Sequence, residues 1–442
     1  MSFATLTKTE KRVLRDSIGA QCFGLLTSQA LSGGVLLLYL HALKCGTSTI
    51  LLVLAVGPFL SALLNIPLAY YAGRNGLKRS GQFGNVLMVA GMSVIILAPD
   101  LPGAALGWIV AGLLVNTIGS SLFLAGWFAL LFNVVPKHYT GRFFGILRCC
   151  WQIVGIAFFG MVTLFFKAQT PIHVFQILLA ICTAGLVIRM FFYQGIPESG
   201  GLKVDADFLP SLRAVIVHDG YSPFLAYVFL LVFFTSESMD VLRLMARQSL
   251  GFGDNSVLAM SVAGMTGSLG GFFLGGKIVD RWGTRPVFVI CHLAFGLFLS
   301  LFPLRGFLPV QPVALAVAVS SLLGLAQATI SIAFTARSFA VCAPEHRSLA
   351  VGLIFSFQTL ASAVSGVFVS GALRSGVLQT TWQLHGLSLT IYDTILFFFA
   401  LMVLLLIVTL GSGLDIIPRS PQPQTIPARI RDLSDEISIP ET

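Results

Sequence analysis

The sequence predicts an all-α integral membrane protein, with twelve transmembrane helices in two pseudo-symmetric six-helix bundles. The first observation is composition: of 442 residues, 56% are hydrophobic and 10% are charged, and the mean hydropathy is +0.89. A soluble protein carries roughly 25% charged residues, so most of this surface must face lipid. The second observation is a polar loop that recurs at about half the chain length. The net charge of +9 is spread over short loops, which argues against a nucleic-acid-binding domain.

Twelve apolar runs are long enough to cross a bilayer, which takes about 20 residues in a helix. The predicted spans are 17–43, 47–71, 82–99, 104–134, 143–167, 172–194, 222–247, 255–275, 286–304, 310–341, 348–373 and 388–411. A polar linker with two prolines and two glycines follows the sixth span. The resulting domain prediction is an N-terminal cytoplasmic segment, a bundle, a cytoplasmic linker, a second bundle and a disordered cytoplasmic tail, at 1–16, 17–194, 195–221, 222–411 and 412–442.

The loops differ strongly in positive charge. Of the 27 Lys and Arg residues, twenty fall on the side of the predicted termini and five on the other side. Lys and Arg accumulate on the cytoplasmic side of membrane proteins. We therefore expect a multi-pass protein of the cell membrane, the inner membrane if the source is bacterial, with both termini in the cytoplasm.

The recurring loop lies between the eighth and ninth spans, where the sequence reads Gly276-Lys-Ile-Val-Asp280-Arg281-Trp-Gly283-Thr-Arg285. A weaker copy between the second and third spans starts 207 positions earlier, at Ala69, and includes Arg74, Gly76 and Lys78. Repeated halves of this kind are how many transporters are built. The repeat therefore predicts two similar bundles.

This loop and its position resemble the signature of the major facilitator superfamily; the subfamily is unassigned. Gly145 and Gly352, which follow Pro136 and Pro344 in the sequence, are again 207 positions apart. The resemblance implies a transporter that works by alternating access, with the loop serving as a conformational latch. The residues predicted for that latch are Gly276, Asp280, Arg281, Gly283, Arg285 and Arg74. Gly73 stands where the family has an acid, which puts the latch role of the first copy in doubt. The alternative is that these are ordinary loop charges that set topology.

The seventh span carries the richest set of ionisable residues. Glu237, Asp240, Arg243 and Arg247 are three to four residues apart and share one face of a helix. Charges in a bilayer are costly, roughly 2.5–3.5 kcal/mol each on insertion scales, and mark functional sites. Glu237 and Asp240 are predicted to line the central cavity and to couple transport to protons. The alternative is a self-satisfied ladder, in which Asp240 pairs with Arg243 and Glu237 pairs with a neighbouring helix.

The fifth span presents Arg148, Trp151 and Gln152 on one face. Arg148 lies about two turns inside the predicted boundary and could bind an anionic solute or pair with Glu237. Its alternative is snorkelling to the headgroups. Trp151 could stack on a ring of the solute or simply pack within the bundle.

Four further polar residues lie within spans: Gln29, Asn116, Gln327 and Gln358. The first, fourth and tenth spans line the cavity in the family that the loop resembles, which makes Gln29, Asn116 and Gln327 candidates for substrate binding. Gln358 is the repeat counterpart of Trp151. For each of the four, an interhelical hydrogen bond is an equally good interpretation.

The sequence therefore predicts a proton-coupled secondary transporter, a symporter, of a small polar organic solute. No nucleotide-binding loop, catalytic arrangement or metal-ligand spacing is present, so we expect no enzyme activity, no cofactor and no metal. The expected partners are the solute, protons and membrane lipid, with a monomer as the expected oligomeric state. The alternatives are a uniporter of a neutral solute such as a sugar, and a non-transporting receptor or lipid-handling protein on the same scaffold.

Overall fold

The computed structural model of the chain describes residues 8–32, 34–134, 140–167, 169–198, 208–217, 220–341, 347–378, 380–384 and 387–411. The predicted tail at 412–442 and the centre of the predicted linker lie outside this part of the chain. Long apolar helices dominate the described residues, because a backbone in hydrocarbon must satisfy its hydrogen bonds within each segment.

Seven helices form the first half of the chain. They are α1 (Lys8–Ser32), α2 (Val35–Ala42), α3 (Thr47–Asn75), α4 (Leu77–Leu97), α5 (Ala105–Val134), α6 (Thr140–Phe165) and α7 (Ile172–Gln194). A short 3₁₀ turn at Ala98–Asp100 follows α4. The predicted first span over 17–43 corresponds to the two helices α1 and α2, which are bent by 45° and together pass as one span. Gly34, at the start of α2, has φ 97°, which a glycine adopts without strain.

Eight helices and a hairpin form the second half. They are α8 (Phe208–Val217), α9 (Tyr221–Thr235), α10 (Ser238–Gln248), α11 (Asp254–Trp282), α12 (Thr284–Leu301), α13 (Pro312–Val341), α14 (Arg347–Arg374), β1 (Thr381–Leu384), β2 (Leu387–Thr390) and α15 (Ile391–Leu406). A 3₁₀ turn covers Arg305–Phe307, and a π-helical turn at Ile407–Gly411 continues α15. The linker helix α8 and the antiparallel hairpin β1–β2 were not predicted. The predicted seventh span is divided between α9 and α10.

The described residues include eleven helices that are long and apolar enough to cross a membrane, or twelve if the bent pair α1–α2 is one span. The prediction of an all-α protein with twelve spans is confirmed. Twelve successive crossings, with α1–α2 counted as one span, place the start of α1 and the end of α15 on the same side, here named the terminal end. Successive crossings place the starts of α3 and α11 and the end of α14 at the opposite end.

Helices approach each other closely within each half. A Cβ atom added to Gly84 of α4 would lie 2.5 Å from the carbonyl oxygen of Gly119 in α5. Small residues allow this backbone contact, which drives helix association where lipid offers no hydrophobic gain. Between the halves, α3 packs along α14 and α6 packs along α11. These two seams are the only extensive contacts between the halves among the described helices.

The repeated loop has the same backbone design in both copies. Gly76 joins α3 directly to α4 with φ 96°, and Gly283, 207 positions later, joins α11 directly to α12 with φ 78°. Side chains other than hydrogen strongly disfavour positive φ, so both junctions require glycine. The repeat seen in the sequence therefore corresponds to two equivalent helix junctions at the terminal end.

Candidate functional site

The helical hydrogen bonding of the seventh span is interrupted at its most polar point, while Tyr221–Gln248 as a whole still forms one candidate membrane span. Helix α9 ends at Thr235 and α10 begins at Ser238, which leaves Ser236 and Glu237 at the junction. Broken helices near the middle of the membrane are the usual location of binding sites in transporters, because they expose backbone groups there. Glu237, at this junction, is buried in the interior.

Glu237 lies beside the seam between the halves. It is 6% exposed, and its Oε1 accepts a hydrogen bond from Ser362 Oγ of α14 at 3.3 Å. Its Oε2 is buried and has no hydrogen-bond partner among the described residues. A Cβ atom added to Gly366 of α14 would lie 3.5 Å from the Glu237 carboxyl carbon and 3.1 Å from Ala55 of α3. One carboxyl group is thus held where α3, α14 and the broken helix meet.

Asp240 has a different environment. Its Oδ1 accepts a hydrogen bond from Arg243 Nη1 at 2.6 Å, and the Asp240 side chain is 20% exposed. Arg247, one turn further, contacts Asp254 of α11 with its Nε at 2.9 Å. The ion pairs therefore lie along α10 on the side away from Glu237. For Asp240 this agrees with the alternative interpretation, in which it pairs with Arg243.

Gln327 joins the same region. Its Nε2 donates to the carbonyl oxygen of Thr235, the last residue of α9, at 3.1 Å. The same carbonyl oxygen also accepts a hydrogen bond from Ser238 Oγ at 2.6 Å. Glu237, Ser362 and Gln327 therefore come together around one helix break, from three different elements.

The fifth-span residues lie along the other seam. Gln152 Nε2 donates to the carbonyl oxygen of Met265 in α11 at 2.7 Å, and the Arg148 guanidinium lies 5.4 Å from the ring centroid of Phe272. The Trp151 Nε1 is buried and has no hydrogen-bond partner among the described residues. This face therefore joins the halves between α6 and α11. The pairing of Arg148 with Glu237 is not among the ion pairs of the described residues.

The remaining predicted residues are spread apart. Asn116 is 4% exposed and its Nδ2 donates to the carbonyl oxygen of Met88 at 3.3 Å, inside the first half. Gln29 and Gln358 are half-buried on α1 and α14. None of the hydrogen bonds described above brings these three to Glu237.

The sequence analysis missed two residues that contact the predicted sites, Ser362 beside Glu237 and Glu198 beside the first loop copy. Ser362 follows Gln358 by four residues, so the helical period could have indicated it. Glu198 lies beyond the end of α7, and its Oε1 accepts a hydrogen bond from the backbone nitrogen of Lys78 at 3.2 Å. It supplies a carboxylate at the start of α4, in the copy of the loop where Gly73 replaces the family's acid.

The second loop copy is exposed at the terminal end. The side chains of Arg281 and Arg285 are exposed, while the side chain of Asp280 lies outside the described part of the chain. In the first copy, Arg74 Nη1 lies 3.4 Å from the Tyr70 hydroxyl oxygen. The glycine backbone of the junctions is thus defined, while the partners of Asp280 are not.

Polar contacts between the halves also occur at the opposite end. Ser48 Oγ of α3 donates to the carbonyl oxygen of Ser370 in α14 at 2.7 Å, and the backbone nitrogen of Thr170 donates to Asp254 Oδ2 at 2.8 Å. Thr47 and Gln248 are also hydrogen-bonded. These contacts hold the halves together at the opposite end.

Comparison with known protein families decides the identity of the fold. The family description "Major Facilitator Superfamily" matches residues 19–366 and 241–431, which cover most of the chain. The chain belongs to the major facilitator superfamily. The resemblance drawn from the repeated loop is confirmed, and this multi-pass membrane protein is a transporter and not an enzyme. No curated protein sequence matches it significantly.

Solved transporters of this superfamily share the fold. A mutant of the nucleoside transporter NupG is 15% identical with a TM-score of 0.69, covering 91% of this chain and 99% of its own. A POT family transporter in complex with a thioalcohol-conjugated peptide is 13% identical, with a TM-score of 0.70 and the same two coverages. A D-xylose-proton symporter is 14% identical, with a TM-score of 0.66, covering 89% of this chain and 96% of its own. At these identities the similarity establishes the fold alone.

Proposed function

We propose that this superfamily member is a proton-coupled symporter of a small polar organic solute, and that Glu237 is its proton-coupling residue. The observation that carries the proposal is the buried carboxyl group at the α9–α10 break, with one oxygen bonded to Ser362 and the other without a partner. A buried carboxyl group in such surroundings must either have a partner for its negative charge or carry a proton. A group of this kind can bind and release a proton as its surroundings change.

The position of Glu237 gives a route from proton binding to movement. It lies against α14 and close to Ala55 of α3, so any rotation of one half against the other alters its surroundings. The protonated form is compatible with the packed seam, and the ionised form favours a state in which water reaches the carboxylate. We propose that the bundles at 17–194 and 222–411 move as units around this point.

The solute class rests on two supports. The polar side chains around the break, Ser362 and Gln327, suit hydroxyl, amide or amine groups. The structural relatives include a nucleoside transporter, a D-xylose-proton symporter and a transporter bound to a peptide conjugate. We therefore propose a small polar solute of that general size, bound near the break.

The loop charges favour cytoplasmic termini. With that orientation the opposite end faces outwards, and the contact there between Ser48 and Ser370 supports the proposal of an inward-facing state. The repeated loop at 276–285 would then lie in the cytoplasm, where Asp280, Arg281 and Arg285 can form and break contacts as the bundles move.

The test begins with a thermal-shift screen of the purified protein against nucleosides, sugars, short peptides, carboxylates and amino acids. Ligands that bind the folded state raise its melting temperature. The ligand with the largest shift is then radiolabelled, and its uptake into proteoliposomes is measured with and without an imposed pH gradient. We expect the gradient to drive accumulation above the equilibrium level.

Substitution of Glu237 by Gln separates coupling from binding. The variant keeps the size and hydrogen-bonding ability of the side chain but cannot lose a proton. We expect gradient-driven accumulation to disappear while exchange of solute across the liposome membrane persists. Asp100→Asn, a carboxylate outside the seam that contacts Gln176, is the matched control and should accumulate normally. Normal accumulation by Glu237→Gln would remove this residue from the coupling step.

A uniporter of a neutral solute is the second candidate. It is favoured by the ion pairs along α10, Asp240 with Arg243 and Arg247 with Asp254. In this candidate function these pairs stabilise the fold and do not exchange protons. In that case the pH gradient changes neither the rate nor the final level of uptake, and Glu237→Gln behaves like the wild type.

A further inference from the structure

The interior of the first half contains a buried arginine that no carboxylate balances. Arg189 on α7 is 5% exposed, and it takes part in none of the ion pairs among the described residues. Its Cζ lies 3.3 Å from the ring centroid of Phe123, and its Nη1 lies 3.9 Å from Met88 Sδ. Its Nε is buried without a hydrogen-bond partner in the described part of the chain. Burying an uncompensated charge costs several kcal/mol.

The surroundings fit a guanidinium group closely. A Cβ atom added to Gly24 of α1 would lie 2.6 Å from the Arg189 Cζ, so only glycine leaves room for the side chain. The ring of Phe123 covers one face of the guanidinium through a cation–π contact. Gly24 of α1, Met88 of α4 and Phe123 of α5 therefore pack against the Arg189 guanidinium.

A second unpartnered group lies on the neighbouring helix. Asn85 of α4 is fully buried, and both its Oδ1 and its Nδ2 lack partners among the described residues. Asn85 shares a helix face with Met88, which contacts Arg189, and with Gly81, which packs against Tyr193. Because α4 and α7 run in opposite directions, Asn85 lies between the levels of Tyr193 and Arg189.

The third helix contributes Gln21. It precedes Gly24 by three residues on α1 and so shares the face that contacts Arg189. Its Oε1 is buried and has no partner in the described residues. Buried amides without partners are rare in folded proteins, and each one requires an explanation. Here two of them lie on the helix faces of α4 and α1 that contact Arg189.

The carboxylate of Asp16, close to this region, is already paired with other arginines. Asp16 lies against Gly195 and accepts hydrogen bonds from Arg15, with Arg12 3.7 Å away. Gly195 is six residues beyond Arg189, which corresponds to about 9 Å along a helix. Asp16 therefore balances the arginines at the terminal end.

We propose that Arg189, Asn85 and Gln21 bind a small monovalent anion of halide size inside the first bundle. A negative charge is required, because water would satisfy the N–H groups but leave the guanidinium charge uncompensated. Either amide can turn its NH₂ group towards the anion. The close approach of α4 and α5 around Gly84 limits the occupant to a small ion. This site is separate from the Glu237 region, and its role is structural.

Thermal unfolding of the full-length protein in detergent tests the proposal. Chloride is titrated against gluconate at constant ionic strength. We expect a saturable rise in melting temperature of about 2 °C with chloride and the same with bromide, since ligands of the folded state stabilise it. Identical melting in the two salts would overturn the proposal.

Two variants locate the effect. Arg189→Gln removes the charge and should abolish the chloride dependence, whereas Asn85→Leu keeps the arginine and should raise the half-saturating chloride concentration at least tenfold. Arg337→Gln, a partly buried arginine of the other half, is the matched control and should retain the wild-type response. A chloride response in Arg189→Gln equal to that of the wild type would contradict the site.

Crystals of the wild-type protein grown in bromide provide a test that needs no variant. We expect an anomalous peak within hydrogen-bonding distance of the Arg189 Nε and the Asn85 amide. Ordered water without anomalous signal at this position would overturn the assignment. Neither result depends on the transport reaction, so failure here leaves the proton-coupling proposal standing.

Discussion

Glu237 and Asp240 are one helical turn apart, yet their surroundings differ. Asp240 is partly exposed and bonded to Arg243 at 2.6 Å, while Glu237 is buried with one oxygen unpartnered among the described residues. The Arg243 contact satisfies the Asp240 carboxylate, whereas a carboxyl group without such a partner is sensitive to its environment. Of the two residues predicted to couple protons, the geometry therefore favours Glu237.

Another acidic residue of the second half, Asp393, illustrates the structural use of charge. Asp393 at the start of α15 is fully buried and accepts hydrogen bonds from Arg305 Nη1 at 2.6 Å and Nη2 at 3.2 Å. It also accepts a hydrogen bond from the backbone nitrogen of Thr390 at 2.7 Å. The pair fixes the end of α12 to the start of α15.

Removal of Arg305 should be costly for this reason. Arg305→Leu leaves Asp393 as a buried charge without its counterion, and we expect the free energy of unfolding to fall by about 3–5 kcal/mol. Arg374→Leu, an exposed arginine near the same end, should change stability by less than about 0.5 kcal/mol. Thermal unfolding in detergent compares the two, and equal melting temperatures would show that the pair is not stabilising.

The helix junctions are the informative feature at the scale of elements. The α9–α10 break contains neither Gly nor Pro, so it depends on contacts with α13 and α14 rather than on local backbone preference. The junctions at Gly76 and Gly283 are the reverse case, because their positive φ is set by residue type. Local sequence therefore determines the loops, and packing determines the break.

The Gly283 junction gives a prediction with an internal control. Gly283 has φ 78° and ψ −178°, a conformation that only glycine adopts readily, so Gly283→Ala should destabilise the protein by about 1–3 kcal/mol. Gly276 lies in the same loop motif but within α11, and a Cβ atom there meets nothing within 4 Å. Gly276→Ala should therefore be neutral or slightly stabilising. Melting temperatures of the two variants check the difference, and similar losses would contradict the backbone explanation.

The whole molecule is joined at two seams and closed at the opposite end. The Ser48 and Ser370 hydroxyl oxygens are 3.1 Å apart across the α3–α14 seam, and Thr170 contacts Asp254 at the end of the α6–α11 seam. Alternating access requires these contacts to separate in one half of the cycle. The hydrogen bond between the two serines contributes about 1 kcal/mol and the one to the Asp254 carboxylate about 1.5–3 kcal/mol, which is weak enough to allow this.

A disulfide across the opposite end should trap the protein. With Ser48→Cys and Ser370→Cys combined, we expect oxidation to join the halves and stop transport, and reduction to restore it. A protease site in the 195–221 linker allows detection, because the joined halves stay together on a denaturing gel. Each single variant is a control and should transport normally under oxidation. Full transport by the cross-linked protein would exclude opening at this end.

Much of the fold could be predicted from the sequence because hydrocarbon imposes simple rules. Twelve apolar runs, loop charge and a 207-residue repeat predicted the helices and the family, since length and hydropathy alone decide which segments can span a bilayer. Three local features were not predicted: the bend after Ser32, the linker helix α8 and the hairpin β1–β2. None of these carries a hydropathy signal.

The sequence by itself determined the spans, the repeat and the set of polar residues that the membrane contains. Only the tertiary structure decided which of these residues meet: Glu237 with Ser362, Gln152 with Met265, Asn116 with Met88 and Arg189 with Phe123. The physical reason is that a span is apolar on most sides, so its own pattern does not indicate which face meets a particular partner. That choice depends on packing between helices that lie far apart in the chain.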